Sequence, residues 1–153
     1  MNVLVLCTGN SCRSILGEAL INSRGRGRLR AFSAGSRPTG VVNPHALSTL
    51  ARHGLSADGY ASKPWSAFEQ SRIDLLISVC DAAAGEVCPA YLRSVPRVHW
   101  GLPDPAAVTG SDVAIQQAFD ATYDALESRV HRLVELTREG LTGGALVAAL
   151  STT

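Results

Sequence analysis

Residues 3–21 read VLVLCTGNSCRSILGEALI. The apolar run 3–6 fits a short buried strand, and Ile15, Leu16, Ala19 and Leu20 recur at helical spacing. Between them lies the loop CTGNSCRS, residues 7–14, which a cysteine opens and which Arg13 helps to close. A loop wrapped ahead of a helix points several backbone N–H groups at one centre, and the helix dipole adds partial positive charge there. The expectation is an oxyanion cradle made of Thr8, Gly9, Asn10, Ser11, Cys12, Arg13 and Ser14. Gly9 and Asn10 suit the positive φ values that let successive amides converge, and Arg13 offers a planar fork for two oxygens. Cys7, at the mouth, is the expected nucleophile. Amides, dipole and guanidinium all favour its thiolate, so its pKa is predicted to lie well below the free value of about 8.5, with Ser14 donating to the same sulfur.

Composition frames this loop. With 153 residues, 46% hydrophobic and 18% charged, the chain is long enough for one domain with a real core. That domain is expected over 1–140, followed by a tail over 141–153 set off by Gly140, Gly143 and Gly144. A net charge of +1 argues against bulk attraction to nucleic acid or membrane. The basic cluster Arg24, Arg26, Arg28 and Arg30 has no interleaved aromatic residues and reads as a solvated connection, not an RNA-binding arm. Residues 3–6 are too short for the apolar region of a signal peptide, and 145–150 fall far short of the ~20 residues of a membrane span. A cytoplasmic monomer with reduced cysteines is expected.

Strands are predicted at 2–6, 29–34, 73–79 and 95–100. Helices are predicted at 14–23, from the Asn43 cap and Pro44 to just before Gly54, briefly over 66–70, and over 111–138. The last carries Val113, Phe119, Tyr123, Leu126, Val130, Leu133 and Leu136 on one stripe. Alternating strands and helices imply an α/β fold, a three-layer sandwich around a four-stranded parallel sheet. Sites in such sheets lie beyond the carboxyl ends of the strands, where Cys7, Cys80 and Asp104 follow strands one, three and four. Asp104, stiffened by Pro103 and Pro105, is the expected general acid for a leaving oxygen. Asp74, Asp81 and Asp112 fall instead at a strand start, on a loop and in a helix's first turn.

Four cysteines in such a chain are buried hydrophobes, a zinc site, structural disulfides or a redox relay. The gaps are wider than usual zinc ligand pairs and His99 shows no ligand spacing, so no metal is expected. A relay fits better, because a phosphatase needs only nucleophile, arginine and acid. If residues 81–87 were helical, Cys80 and Cys88 would stand about 12 Å apart at ~1.5 Å per residue. A disulfide needs Cα atoms within about 7 Å, so the segment DAAAGEV is expected to be compact when reduced and looped when oxidised.

CTGNSCRS, FSAG at 32–35, the strand ending in VCD, the later CP at Cys88 and HWGLPDP at 99–105 together resemble arsenate reductases of the low-molecular-weight tyrosine phosphatase fold. The resemblance runs from Asn2 to about Leu136. It implies that Cys7 attacks arsenate, that Cys80 attacks Cys7 and releases arsenite, and that Cys88 resolves onto Cys80. Arg13, Ser14, Asn10 and Asp104 match the loop arginine, serine, asparagine and acid. No cofactor is implied to be bound; the electrons come from an external thiol, thioredoxin or glutathione with glutaredoxin, and phosphate or sulfate mimic the substrate. Some relatives hold a potassium ion beside the loop. Here Glu18 and Ser33 remain, but Lys63 stands where an acid is expected and is predicted to replace the cation. Cys12 is expected to pack beside Cys7, outside the turnover. Two rival readings are a tyrosine phosphatase, which would share Cys7, Arg13 and Asp104, and an anion-binding module without turnover.

Overall fold

The chain is described by a computed structural model covering residues 1–85 and 88–152. Its sheet has four parallel strands in the order β2-β1-β3-β4: β1 (Asn2–Leu6), β2 (Arg30–Ala34), β3 (Leu75–Ser78) and β4 (Arg97–His99). The helices are α1 (Arg13–Gly25), α2 (Pro44–Arg52), α3 (Asp81–Gly85), α4 (Asp112–Arg138) and α5 (Gly143–Ser151), with short 3-10 turns at Trp65–Phe68, Ala90–Leu92 and Pro105–Ala107. The predicted α/β class and parallel sheet are both found.

The period-two geometry of β1 divides the interior. Val3 and Val5 face a large core that holds Leu16 and Leu20 of α1, Leu50 of α2 and Phe119, Leu126, Val130 and Leu133 of α4. Leu4 and Leu6 face a smaller core with Ala34, Leu76 and Leu92, packed over by Phe32, Trp65, Phe68 and Tyr91. Buried on both faces, β1 reads as a continuous apolar run for that reason. Register then fixes the upper edge: Leu6 pairs with Ala34 and with Ser78, and Ser78 with His99. The residues just beyond each of these converge. β1 is flanked by the strands on which the chain order reverses, so Cys7 lies at the crevice such sheets offer to ligands.

Four expectations change. Residues 141–153 were read as a tail, yet α5 forms there and sends Leu146 and Leu150 into the large core. The glycines that suggest a break serve instead as turn and first helical residues, with Gly140 at φ 89° and Gly143 at φ 55°. Val113, assigned to the buried stripe of α4, is 63% exposed, because the first turn of that helix overhangs the packed region. The strands at 73–79 and 95–100 are shorter than predicted, and the 66–70 turn is a 3-10 turn at Trp65–Phe68. In α4 the Ser111 hydroxyl caps the helix by accepting from the Ala114 amide at 3.1 Å. No helix among the described residues is long and apolar enough to cross a membrane.

Candidate active site

The loop that follows β1 is held from outside by its carbonyls. Thr8 O accepts from the Arg37 amide, Gly9 O from the Thr39 amide and the Ser62 hydroxyl, and Ser11 O from the Asn43 amide, all at 3.0 Å. With these oxygens turned outward, the peptide planes direct their N–H sides toward the interior of the loop, the arrangement an anion requires. Asn10 supplies the turn with φ 46°, whereas Gly9, expected to share that role, is not among the positive-φ residues. Gly9 is small for another reason: a Cβ there would stand 3.2 Å from Cγ2 of Thr39. The fully buried Asn10 side chain donates to Ser14 Oγ at 2.8 Å and accepts from the Lys63 amide at 2.8 Å, joining loop, helix and the 62–63 segment. Ser14 Oγ thereby accepts, which leaves its own hydroxyl proton to donate.

The loop and the Asp104 turn bound a cavity of about 190 Å³ lined by Cys7, Gly9, Ser11, Cys12, Arg13, Thr39, Asp104 and Ala106. Pockets for organic ligands run to roughly 300–1,000 Å³, so this one suits a small tetrahedral oxyanion better than an aromatic ester. No aromatic side chain lines it. Arg13 is positioned by the Leu102 carbonyl, to which Nη1 donates at 2.8 Å, while Nη2 lies 3.8 Å from Asp104 Oδ2. Its Nε is buried without a partner among the described residues. A buried guanidinium donor left unsatisfied is costly, and an oxyanion in the loop would relieve that cost. Asp104 is half-exposed, and its Oδ1 accepts from the Ala106 amide at 3.0 Å, which fixes the carboxyl over the cavity mouth.

The sulfurs are where expectation and structure part. All four cysteines are free. Cys80, which follows β3, is buried beside the loop with its Sγ 3.6 Å from Thr8 Oγ1. The Cys80 side chain and burial push the Cys7 thiol up, against Arg13 and the Gly9 amide, which pull it down. The predicted low pKa is therefore corrected: anion loop and arginine are present, but the neighbouring Cys80 side chain and desolvation outweigh them. Burial likewise pushes Cys12 up to about 11, partly offset by Ser11 and Asn43. Cys88 is not gathered with the other sulfurs. It lines a second cavity of about 140 Å³ with Ser78, Arg97 and His99, and Arg97 Nη1 donates to its Sγ at 3.1 Å. Asp81, assigned to a loop, opens α3 and accepts from His99 Nε2 at 2.8 Å. The compact arm expected over 81–87 is helical through Gly85; Glu86 and Val87 lie outside the described residues.

Beside the loop, the Ser33 hydroxyl donates to Glu18 Oε2 at 3.2 Å. Burial pushes the Glu18 carboxyl up, and the Lys63 charge opposes that shift. A potassium ion there would face the Lys63 charge that already acts on Glu18, so these residues do not fit one. No cluster of metal-ligating side chains occurs among the described residues. Sequence reasoning missed Gly35, the Leu102 carbonyl, Thr39 and Arg97. Gly35 alone had a visible signal, in the FSAG motif; the others act through contacts 30 and 89 positions apart or through a short strand that sequence does not orient.

A sequence profile described as low molecular weight phosphotyrosine protein phosphatase matches residues 2–142. An arsenate reductase from Halalkalibacterium halodurans is 32% identical over 87% of this chain and 94% of its own length. A solved arsenate reductase in the phosphate binding state is 25% identical, covering 88% of this chain and 96% of its own, with a TM-score of 0.75. A low molecular weight phosphotyrosine phosphatase from Vibrio cholerae, 22% identical with a TM-score of 0.75, covers 92% of this chain and 98% of its own and shares the fold. The resemblance read from the loop, the FSAG strand end and HWGLPDP is thus borne out, and the chain belongs to the low molecular weight phosphotyrosine protein phosphatase family.

Proposed function

We propose that this protein reduces arsenate to arsenite by a thiol relay; its relatives are named arsenate reductases. The observation that carries the reading is the second thiol, Cys80, buried beside the anion loop with its Sγ 3.6 Å from Thr8 Oγ1. A hydrolase needs no such neighbour, and it raises the pKa of the nucleophile.

In the relay the loop amides and Arg13 hold arsenate, a bound arsenate oxygen takes the Cys7 proton, and the sulfur attacks arsenic. An oxygen leaves as water with a proton from Asp104. Cys80 then attacks the Cys7 sulfur. The S–S bond forms, the S–As bond breaks, and its electron pair stays on arsenic, which leaves as arsenite. Cys88 attacks Cys80, freeing Cys7 as thiolate, and the Cys80–Cys88 disulfide is reduced by a dithiol of thioredoxin or glutaredoxin. The enzyme works as a cytoplasmic monomer with no bound cofactor and no metal, and Lys63 supplies the positive charge beside Glu18.

Phosphomonoester hydrolysis is the second reading, supported by Cys7, Arg13 and Asp104 around one cavity. One assay separates the two: NADPH consumption with arsenate, thioredoxin and its reductase, run beside nitrophenol release from an aryl phosphate. Cys80→Ser and Cys88→Ser each abolish arsenate turnover and keep whatever aryl phosphate hydrolysis the wild type has. Loss of both activities together in either variant would sink the relay.

A further inference from the structure

Resting on the relay reading, we propose that Arg97 and His99 of β4 are positioning residues that hold the two resolving sulfurs for successive steps. The strand's period of two puts Val98 in the large core and turns Arg97 and His99 to the opposite face, beside Leu76 and Ser78 with which they are in register. Each then grips one end of the segment that carries the relay. His99 Nε2 meets Asp81 Oδ1 at 2.8 Å, and Asp81 directly follows Cys80. Arg97 Nη1 donates to Cys88 Sγ at 3.1 Å, and Nη2 holds the Leu92 carbonyl at 3.1 Å.

The imidazole is itself oriented. A carboxylate only accepts, so Nε2 carries the proton, and Nδ1 meets the Ser78 hydroxyl at 2.8 Å. Gly101 leaves the room this pair needs, since a Cβ there would stand 3.0 Å from His99 Nε2 and 3.1 Å from Asp81 Oδ1. The strand beneath is fixed: the Leu76 amide donates to Pro96 O at 2.9 Å, the Trp100 amide to Ser78 O at 2.7 Å, and Trp100 is buried. Asp81 is 95% exposed, so its contact adds little stability. That weakness suits a hold that must let go. His99 keeps Cys80 against Cys7 for the attack that frees arsenite, and Arg97 keeps Cys88 at the lip of the cavity both residues line, where Cys80 is to be met.

Each hold serves one sulfur attack. In the first, the Cys80–Cys7 bond forms, the S–As bond breaks, its electron pair leaves with arsenic as arsenite, and the proton of Cys80 goes to solvent. In the second, the Cys88–Cys80 bond forms, the Cys80–Cys7 bond breaks, Cys7 leaves as thiolate, and the proton of Cys88 goes to solvent.

The test is rapid-quench single turnover of the reduced full chain with arsenate and no external reductant, reading arsenite and mapping disulfides by mass spectrometry. His99→Ala is expected to slow arsenite release by about tenfold, the size of one lost oriented hydrogen bond, and His99→Gln, whose amide still donates to Asp81, to recover part of it. Arg97→Met is expected to accumulate the Cys7–Cys80 disulfide about tenfold over wild type, and Arg97→Lys to recover part. Unchanged rates in both variants, or equal slowing of both steps with no rescue, overturns the proposal. A parallel arm uses diamide, which takes two electrons from a thiol pair: Arg97→Met is expected to form Cys80–Cys88 more slowly than wild type, and an equal rate counts against the hold. If wild type frees no arsenite but the diamide arm shows the difference, the arsenate reading fails and the Arg97 hold stands.

Discussion

Replacing Gly35 by alanine tests whether the loop is shaped by the strand beside it. A Cβ at Gly35 would stand 2.4 Å from the Thr8 carbonyl oxygen and 2.8 Å from the Cys7 carbonyl oxygen, distances real Cβ atoms essentially never show below 3.0 Å. The Gly35 backbone is not in the left-handed region, so the whole penalty comes from this contact. Opening the shorter approach to 3.0 Å requires a shift of about 0.6 Å, from 3.0 − 2.4. Neither partner can swing away. Both are main chain, and Thr8 O is fixed by the Arg37 amide at 3.0 Å, while Gly35 is pinned by the Lys63 carbonyl at 2.9 Å and by the Trp65 amide at 3.1 Å. Overpacking of this kind costs about 1–3 kcal/mol, and a misplacement near 1 Å costs about 10²-fold in rate. Gly35→Ala is therefore expected to lower the urea midpoint and to lower kcat/KM for arsenate by roughly 10- to 100-fold. Aryl phosphate hydrolysis should fall in parallel, since both reactions use the loop. Gly144→Ala is the control: nothing lies within 4 Å of its Cβ, so it should be neutral or stabilising by up to ~1 kcal/mol in helix α5. Wild-type kcat/KM and urea midpoint in Gly35→Ala would refute the reasoning.

Two further outcomes follow from burial and titration. Leu146→Ala and Leu150→Ala should each cost about 2–5 kcal/mol in urea unfolding, and removal of 141–153 more than either; a stability unaffected by that truncation would return α5 to the status of a tail. Cys12, pushed by burial from 9.0 to about 11, holds its proton more tightly folded than unfolded. Its contribution is fully present below pH 9 and is lost as pH rises through about 11, so Cys12→Ser should flatten the alkaline limb of stability against pH. Equal limbs in the two proteins would count against that assignment.

The sheet and the anion loop were legible because they rest on local signals. A continuous apolar run, a turn-prone cysteine loop and a helical stripe stand next to one another in residues 3–21, and topology then carries Cys80 and Asp104 to the same edge. Charge state was not legible. The low pKa expected of Cys7 followed from neighbours in sequence, whereas the opposing influence comes from the Cys80 side chain, 73 positions away. The tail failed for a similar reason: three glycines signal a break, but Leu146 and Leu150 find their partners only once β4 and α4 are in place. Arg97 and His99 lie on a three-residue strand, too short for alternation to reveal which face they share.

The position of β4 at the end of the sheet has a consequence for solubility. An outermost strand presents unpaired backbone groups that can recruit a strand from another molecule, and the hazard grows with its length and apolarity. Here the strand is three residues long, Pro96 before it offers no amide, and Arg97 and His99 flank the single inward residue Val98. The residues proposed to position the resolving sulfurs thus also make the strand a poor template. The proposed relay, which joins Cys88 to Cys80 in every turnover, can then run without seeding intermolecular β-pairing and aggregation.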